Sequence, residues 1–447
     1  MGKFSISKQG IEVELQTLDK YRPIEKTNTD SPPITNFHPD DGKVEYSSKP
    51  YDSLGDLADA LSKDINSAMN YMHEHRVIAL PIGCQPYYKD FASGHIHTSV
   101  TDMSKDKWLE LRQKLFSSQP LIALLSQNSP MLFSLRAADV RLLLSTWSAF
   151  TDYDSTSTSH YQSLAYGQNG STLEIRIPSS GPLYQLIAVA ALIRVILKND
   201  DAPMPVLPTK ENWSNVISYG SSSLCTIGIP TGITYDGIKN KSITVKTVDL
   251  FRVFYEENLD CFKSELSTVK PVIRKQVEKF YDMISNGITL SDVVFSIVKS
   301  NEPNQAITGL YDIFYNSYND NDVFNLLPKA ESYMPVISKY YTITELKDAM
   351  ASIKEAPFIK KLELNSKDTL SIFTSSDGIL THGVALVILN KLAVEGRCRR
   401  EVSNNNLVKT MINLKVVREE KVNDREWLVP GDNFHIVMSM AKKVGAI

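Results

Sequence analysis

The chain has 447 residues, of which 42% are hydrophobic and 22% charged. That is ordinary globular material, long enough for more than one domain. A formal net charge of -3 and a pI near 6.3 give no global electrostatic reason for nucleic acid or an anionic membrane to be the main partner, so any basic surface is local.

The elements follow in chain order. Gly10 onward reads as a strand, Asp19 to Pro39 as a loop rich in Thr, Asp and Pro, and Val44–Ser48 as a second strand. Asp56 to Arg76 carries Leu57, Ala60, Leu61, Ile65, Ala68 and Met69 at helical spacing, and Val77–Ile82 follows as a buried strand. Lys105–Phe116, Pro120–Leu125 and Leu183–Leu197 read as helices. From about Pro205 strand signals fade, and Val248–Leu259, Val269–Asn286 and Leu290–Lys299 read as amphipathic helices. The turn formers of Asn316–Asp322 mark a linker, which gives a first domain over 1–318, a linker over 319–339 and an appendage over 340–447. In the appendage the pattern predicts helices Thr344–Lys354, Thr381–Glu395 and Asn406–Leu414, strands near Phe358–Leu364 and Leu370–Phe373, and a hairpin through Val416–Glu420 and Glu426–Val429. That order is winged-helix-like, the one place where nucleic acid binding is conceivable through Arg397, Arg399, Arg400 and Arg418. Glu395, Glu401, Glu419 and Glu420 dilute the positive charge and favour a partner-binding or dimer-forming role.

The four cysteines, Cys84, Cys225, Cys261 and Cys398, form no CxxC pair and indicate neither a zinc ribbon nor a disulfide framework. With no long apolar segment after Met1, and with Leu183–Leu197 shorter than the roughly 20 residues that span a bilayer, a soluble cytoplasmic chain is expected.

Three strand segments each place two polar or ionisable side chains two residues apart: Glu12 with Glu14, His95 with His97, and Glu174 with Arg176. Residues i and i+2 project from the same face of a strand. Carboxylates and imidazoles gathered on one buried or concave surface need a cation or charged ligand to balance them, so the three pairs point to a divalent metal site holding an anionic substrate. Each pair alone has a plainer reading. Glu12 and Glu14 fit the solvated face of an edge strand, the two histidines fit exposed or core positions, and Glu174 with Arg176 fits an ordinary ion pair. His73 and His75 share the spacing, but they end a helix beside Glu74 and Arg76, where a helix C-terminal charge role suits them better. Cys84 has no neighbour that would activate a thiolate and reads as packing.

Taken in order, Gly10–Leu15, Val44–Pro50, Ile82–Tyr87, Leu124–Pro130 and Thr172–Pro178 with the helix through Ala188–Ile193 resemble the glutamine synthetase superfamily, most closely the type-2 glutamate-cysteine ligases and carboxylate-amine ligases. The resemblance covers roughly residues 8–315. It implies an α+β fold, a curved antiparallel sheet lining a metal and ATP site with helices on its outer face. It implies ATP-dependent amide formation through an acyl phosphate, between a small carboxylate such as glutamate and an amine. A homo-oligomer without membrane partners is expected. Glu12, His95 and Glu174 would hold one metal ion, and Glu14 and Glu45 a second, both Mg2+ or Mn2+. Arg176, with Glu45, would serve the chemistry, and His97, Arg136 and Arg141 would contact the nucleotide.

The sequence departs from the family pattern in three places. Leu164-Ala165-Tyr166 stands where relatives carry Arg-Pro, with Arg136 or Arg141 as substitutes; Gln85 replaces a histidine; and the nearest third acid for the second metal is Asp41. These departures suggest an acceptor other than cysteine. A guanidino-kinase-like phosphotransferase and an inactive binding homologue stand as rival readings.

Overall fold

A fourteen-residue strand, Ile6–Asp19 (β1), is long enough to pair with three neighbours along its length. In this computed structural model its first half lies antiparallel to Ile96–Val100 (β5). Residues 12–15 pair with Lys43–Ser47 (β3), and residues 16–19 pair with Val77–Leu80 (β4). Phe37–Asp40 (β2) adds to β3, while Leu173–Ile175 (β9) and Leu164–Tyr166 (β8) extend the sheet beyond β5, giving the order β2-β3-β1-β5-β9-β8. The structure describes residues 6–40, 42–87, 90–116, 118–132, 140–142, 162–166, 172–198, 210–234, 237–319, 321–332, 341–355, 383–400, 405–422, 425–435 and 437–438.

The class is α+β, as expected: every named strand pair is antiparallel, and helices cover one face of the sheet. Alternation decides which face. Ile11, Val13 and Leu15 of β1 are buried together with Val44, Tyr46, Ile96, Leu173 and Ile175, so Glu12 and Glu14 and their partners face the other way. Against the apolar face pack Leu54–Glu74 (α1) and Leu183–Lys198 (α4). Helix α4 is buried from Leu183 to Leu197, including Arg194, whose guanidinium meets Glu265 at 2.7 Å and the Asp52 carbonyl at 3.0 Å. Over that buried span the charge of Arg194 must be satisfied internally, and this pairing does so.

Several expected elements sit within a residue or two of their predicted ends, among them α1, α4 and the helix Lys105–Phe116. Others differ. The predicted helix Val248–Leu259 ends at Glu257, and a separate helix, Leu259–Leu266, begins after Asn258. The region after Pro205, read as losing strand character, forms a long ribbon from Leu224–Thr234 (β10) and Gly237–Lys246 (β11). Gly228, Pro230 and Gly232 lower strand propensity there, and the ribbon absorbs them with a register shift between Pro230 and Gly232.

The turn-forming segment after residue 316 is tied to the body. Helix Pro303–Ser317 runs into it, the hydroxyl of fully buried Tyr318 donates to the Gly181 carbonyl at 2.7 Å, and Asp322 accepts from Lys279 at 2.8 Å. Helix Ile343–Glu355 then contributes Leu346 and Met350 to the same core. Turn formers fix loop geometry and say nothing of looseness.

Farther on, helices Gly383–Glu395 and Asn405–Asn413 pack on a three-stranded sheet. Cys398–Arg399 (β12) pairs with Arg425–Pro430 (β14), which pairs with Val417–Val422 (β13). The strands predicted near Phe358–Leu364 and Leu370–Phe373 lie outside the described residues. No described helix is long and apolar enough to cross a membrane.

Candidate metal and phosphate site

The polar face of the sheet lines a cavity of about 620 Å³, bordered by Glu12, Glu14, Asp40, Glu45, His95, His97, Glu174 and Arg176 among others. Small-molecule sites commonly have this size. Pairing register brings these side chains together: His97 lies opposite Glu174 and Gly10, Glu14 lies opposite Glu45, and Glu45 lies opposite His38. The Glu12 amide donates to the His95 carbonyl at 2.9 Å, which sets that pair side by side. Gly94, just before His95, lies so close to the Ser179 carbonyl that a Cβ there would stand 2.6 Å from its oxygen. Only glycine admits this approach, and through it the histidine strand is held against the segment after Glu174.

Two groups of potential ligands result. In one, donor atoms of Glu12, His97 and Glu174 lie within 4.8 Å of one another. His95 stands between its two carboxylates, with Nδ1 3.2 Å from Glu12 Oε2 and 3.4 Å from Glu174 Oε1. Its Nε2 is buried without a hydrogen-bond partner. His97 Nε2 is 3.1 Å from Glu12 Oε1, near enough for an ion pair though poorly aligned for a hydrogen bond, and its Nδ1 meets Thr172 Oγ1 at 3.2 Å. Arg176 forms an ion pair with Glu174. The second group is Glu14, Asp40 and Glu45, again within 4.8 Å. Lys43 Nζ and the Ser93 amide both reach Glu14 Oε2 at 3.1 Å, and His38 Nε2 stands 2.9 Å from Glu45 Oε1.

The electrostatics show how much negative charge has been collected. Burial would raise the Glu12 carboxyl, but the hydrogen bond with His95, the close contact of His97 and the charges of both imidazoles pull it far below the usual carboxylate range. Glu45 goes the other way: burial first, then the charges of Glu12 and Glu14, push it up to about 8. Burial disfavours the His97 cation, yet Glu12 and then Glu174 outweigh it and raise its pKa. A divalent cation suits this environment. Two carboxylates with an imidazole form a donor set for Mg2+ or Mn2+, and the partnerless buried nitrogen of His95 is the kind of atom a bound ion or its water would satisfy.

Register and donor spacing thus gather Glu12, Glu14, Glu45, His95, His97, Glu174 and Arg176 around one cavity. The spacing groups His97 with Glu12 and Glu174, where the sequence reading set His95. Arg141 lies on the short strand Val140–Leu142 (β7), paired with Pro130–Leu132 (β6) outside the seven-stranded sheet, while Arg136 and Asp41 fall outside the described residues. The sequence reading missed Asp40 and His38, which border the second group. Their His38-x-Asp40 spacing was the available signal, hidden because Asp19–Pro39 read as loop. Leu164–Tyr166, in place of Arg-Pro, forms edge strand β8 beside Glu174. Gln85 shapes a turn, accepting from the Tyr87 amide at 2.6 Å. His73 and His75 lie at the end of α1, with His73 stacked on Tyr311.

No family model matches this chain, and no curated protein matches its sequence. Among solved structures, a bifunctional glutathione synthetase from Pasteurella multocida is similar over 71% of this chain and 52% of its own, at 12% identity and a TM-score of 0.47. The chain spans about half the length of that protein. A glutamate–cysteine ligase from Francisella tularensis, in complex with AMP, is similar over 82% of this chain and 97% of its own, at 11% identity and a TM-score of 0.45. The complex of the prokaryotic ubiquitin-like protein Pup and its ligase PafA matches over 99% of this chain and 92% of its own, at 10% identity and a TM-score of 0.42.

Proposed function

We propose that this chain joins a carboxylate to an amine at the expense of ATP, with the substrate carboxylate attacking the terminal phosphate to give an acyl phosphate that the amine displaces. The observation that carries the reading is Arg176 paired with Glu174 at the edge of the Glu12–His97–Glu174 group, inside a cavity of nucleotide size. A phosphoryl group in flight carries negative charge that must be spread, and a guanidinium beside a carboxylate-held cation does that. The order of sequence motifs over residues 8–315 supports the same reading.

The residues divide the work. Glu12, His97 and Glu174 hold a divalent ion, which when bound supplies Lewis-acid charge neutralisation to the phosphates. His95 keeps the two carboxylates at fixed separation through Nδ1, as an outer-shell histidine does. Arg176 turns from Glu174 toward the phosphate oxygens. Glu45, held protonated near neutral pH, would give its proton to solvent once a cation is bound nearby, and its carboxylate would then accept one from the incoming amine. The carboxylate is a glutamate-like side chain and the acceptor a primary amine.

The test is to supply ATP, magnesium, glutamate and a mixture of amino acids and polyamines and to identify products by mass spectrometry. Free phosphate with a new amide supports the reading. A stable phosphorylated product would indicate a phosphotransferase, and no turnover with ATP bound would indicate a binding protein.

A further inference from the structure

We infer that Lys43 is the second cation of the site, so that this chain works with one resident divalent ion where its second carboxylate group would otherwise take another. The inference rests on the metal-site reading above. Both carboxylate groups are compensated, but by different chemistry. In the first, the Arg176 guanidinium pairs with Glu174, and the imidazoles of His95 and His97 stand beside Glu12, where they can exchange a proton for a metal bond. In the second, a lysine ammonium, which offers donors and no lone pair, sits 3.1 Å from Glu14 Oε2.

The Ser93 amide reaches the same oxygen, also at 3.1 Å. Glu14 is therefore held in place by a backbone donor and a cation together. Lys43 is held as firmly, with a side chain only 10% exposed and a cross-strand partner, Asp40, that belongs to the same acidic group. Asp90, close by, is paired with Lys26 at 2.8 Å. A dication placed among Glu14, Asp40 and Glu45 would face the Lys43 ammonium across Glu14, and like charges at such range in a partly buried site repel strongly. The ammonium supplies fixed positive charge on this side of the cavity and needs no ion from solution.

Manganese titration of the full-length chain without nucleotide, followed by the electron paramagnetic resonance signal of free Mn2+, reads the stoichiometry directly. One tightly bound ion per chain is expected in the native protein and in Lys43→Arg, and two in Lys43→Met. Lys43→Gln, close in length and uncharged, is read beside Lys43→Met so that a folding defect in one variant leaves the other to decide. Two ions in the native protein, or one in both neutral variants, would overturn the inference and leave the metal-site reading standing. No bound ion in any form would sink the metal-site reading and this inference with it.

Discussion

The two groups share one sheet face and one cavity, yet the imidazoles of His95 and His97 and the Arg176 guanidinium stand beside Glu12 and Glu174, while Lys43 and His38 stand beside Glu14 and Glu45. An imidazole can exchange its proton for a bond to an ion. The Lys43 ammonium cannot, and with the Ser93 amide it holds Glu14 in place. Two acids with a histidine in one group and three acids in the other thus carry different counter-charges, and those neighbours set what each group can bind.

The comparison can be broken most sharply at the first group. Glu12→Ala or Glu174→Ala should reduce ATP turnover to background, measured as ADP release, while the melting curve stays close to that of the native protein. Retained turnover in either variant would count against the site. Arg176→Lys should come next, lowering kcat on the order of 10³-fold with little change in KM for ATP, because an ammonium cannot reproduce the forked contact of a guanidinium. An equal loss in KM would mean that Arg176 serves ground-state binding only.

The imidazoles sharpen the comparison within the first group. His95→Gln should weaken Mn2+ affinity by about 10–100-fold, and His97→Gln by more; the reverse order would return the ligand role to His95. The smallest expected effect is on pH dependence. Glu45 has a folded value of about 8 against an ordinary value of 4.5, so its carboxylate is disfavoured by folding. Its penalty is absent below the ordinary value, grows as pH rises toward 8 and is constant above it. The metal-free protein should therefore lose melting temperature across that window, and Glu45→Gln should flatten the slope. Mn2+ affinity at the first group should rise over the same range, as ionised Glu45 adds negative charge near Glu12. A slope unchanged in Glu45→Gln would place the titration elsewhere.

Much of the fold was legible because its signals are local. Helix Leu54–Glu74 announces itself through its apolar spacing, and Lys105–Phe116 and Leu183–Lys198 through similar patterns. The C-terminal hairpin Val417–Val422 with Arg425–Pro430 could be read for the same reason. The ribbon Leu224–Lys246 could not: its glycines and proline argue against a strand, and only pairing over its whole length overcomes them. Strand β2 was hidden in the same way, and Asp40 and His38 with it.

The sequence by itself determined which residues share a face. A period of two puts Glu12 with Glu14, His95 with His97 and Glu174 with Arg176 whatever the strands pair with. Only the tertiary structure decided which pairs meet and what balances them, because register brings together residues about eighty positions apart and no local pattern encodes register across such distances. That is why Glu12 faces two histidines while Glu14, two residues away on the same strand, faces Lys43.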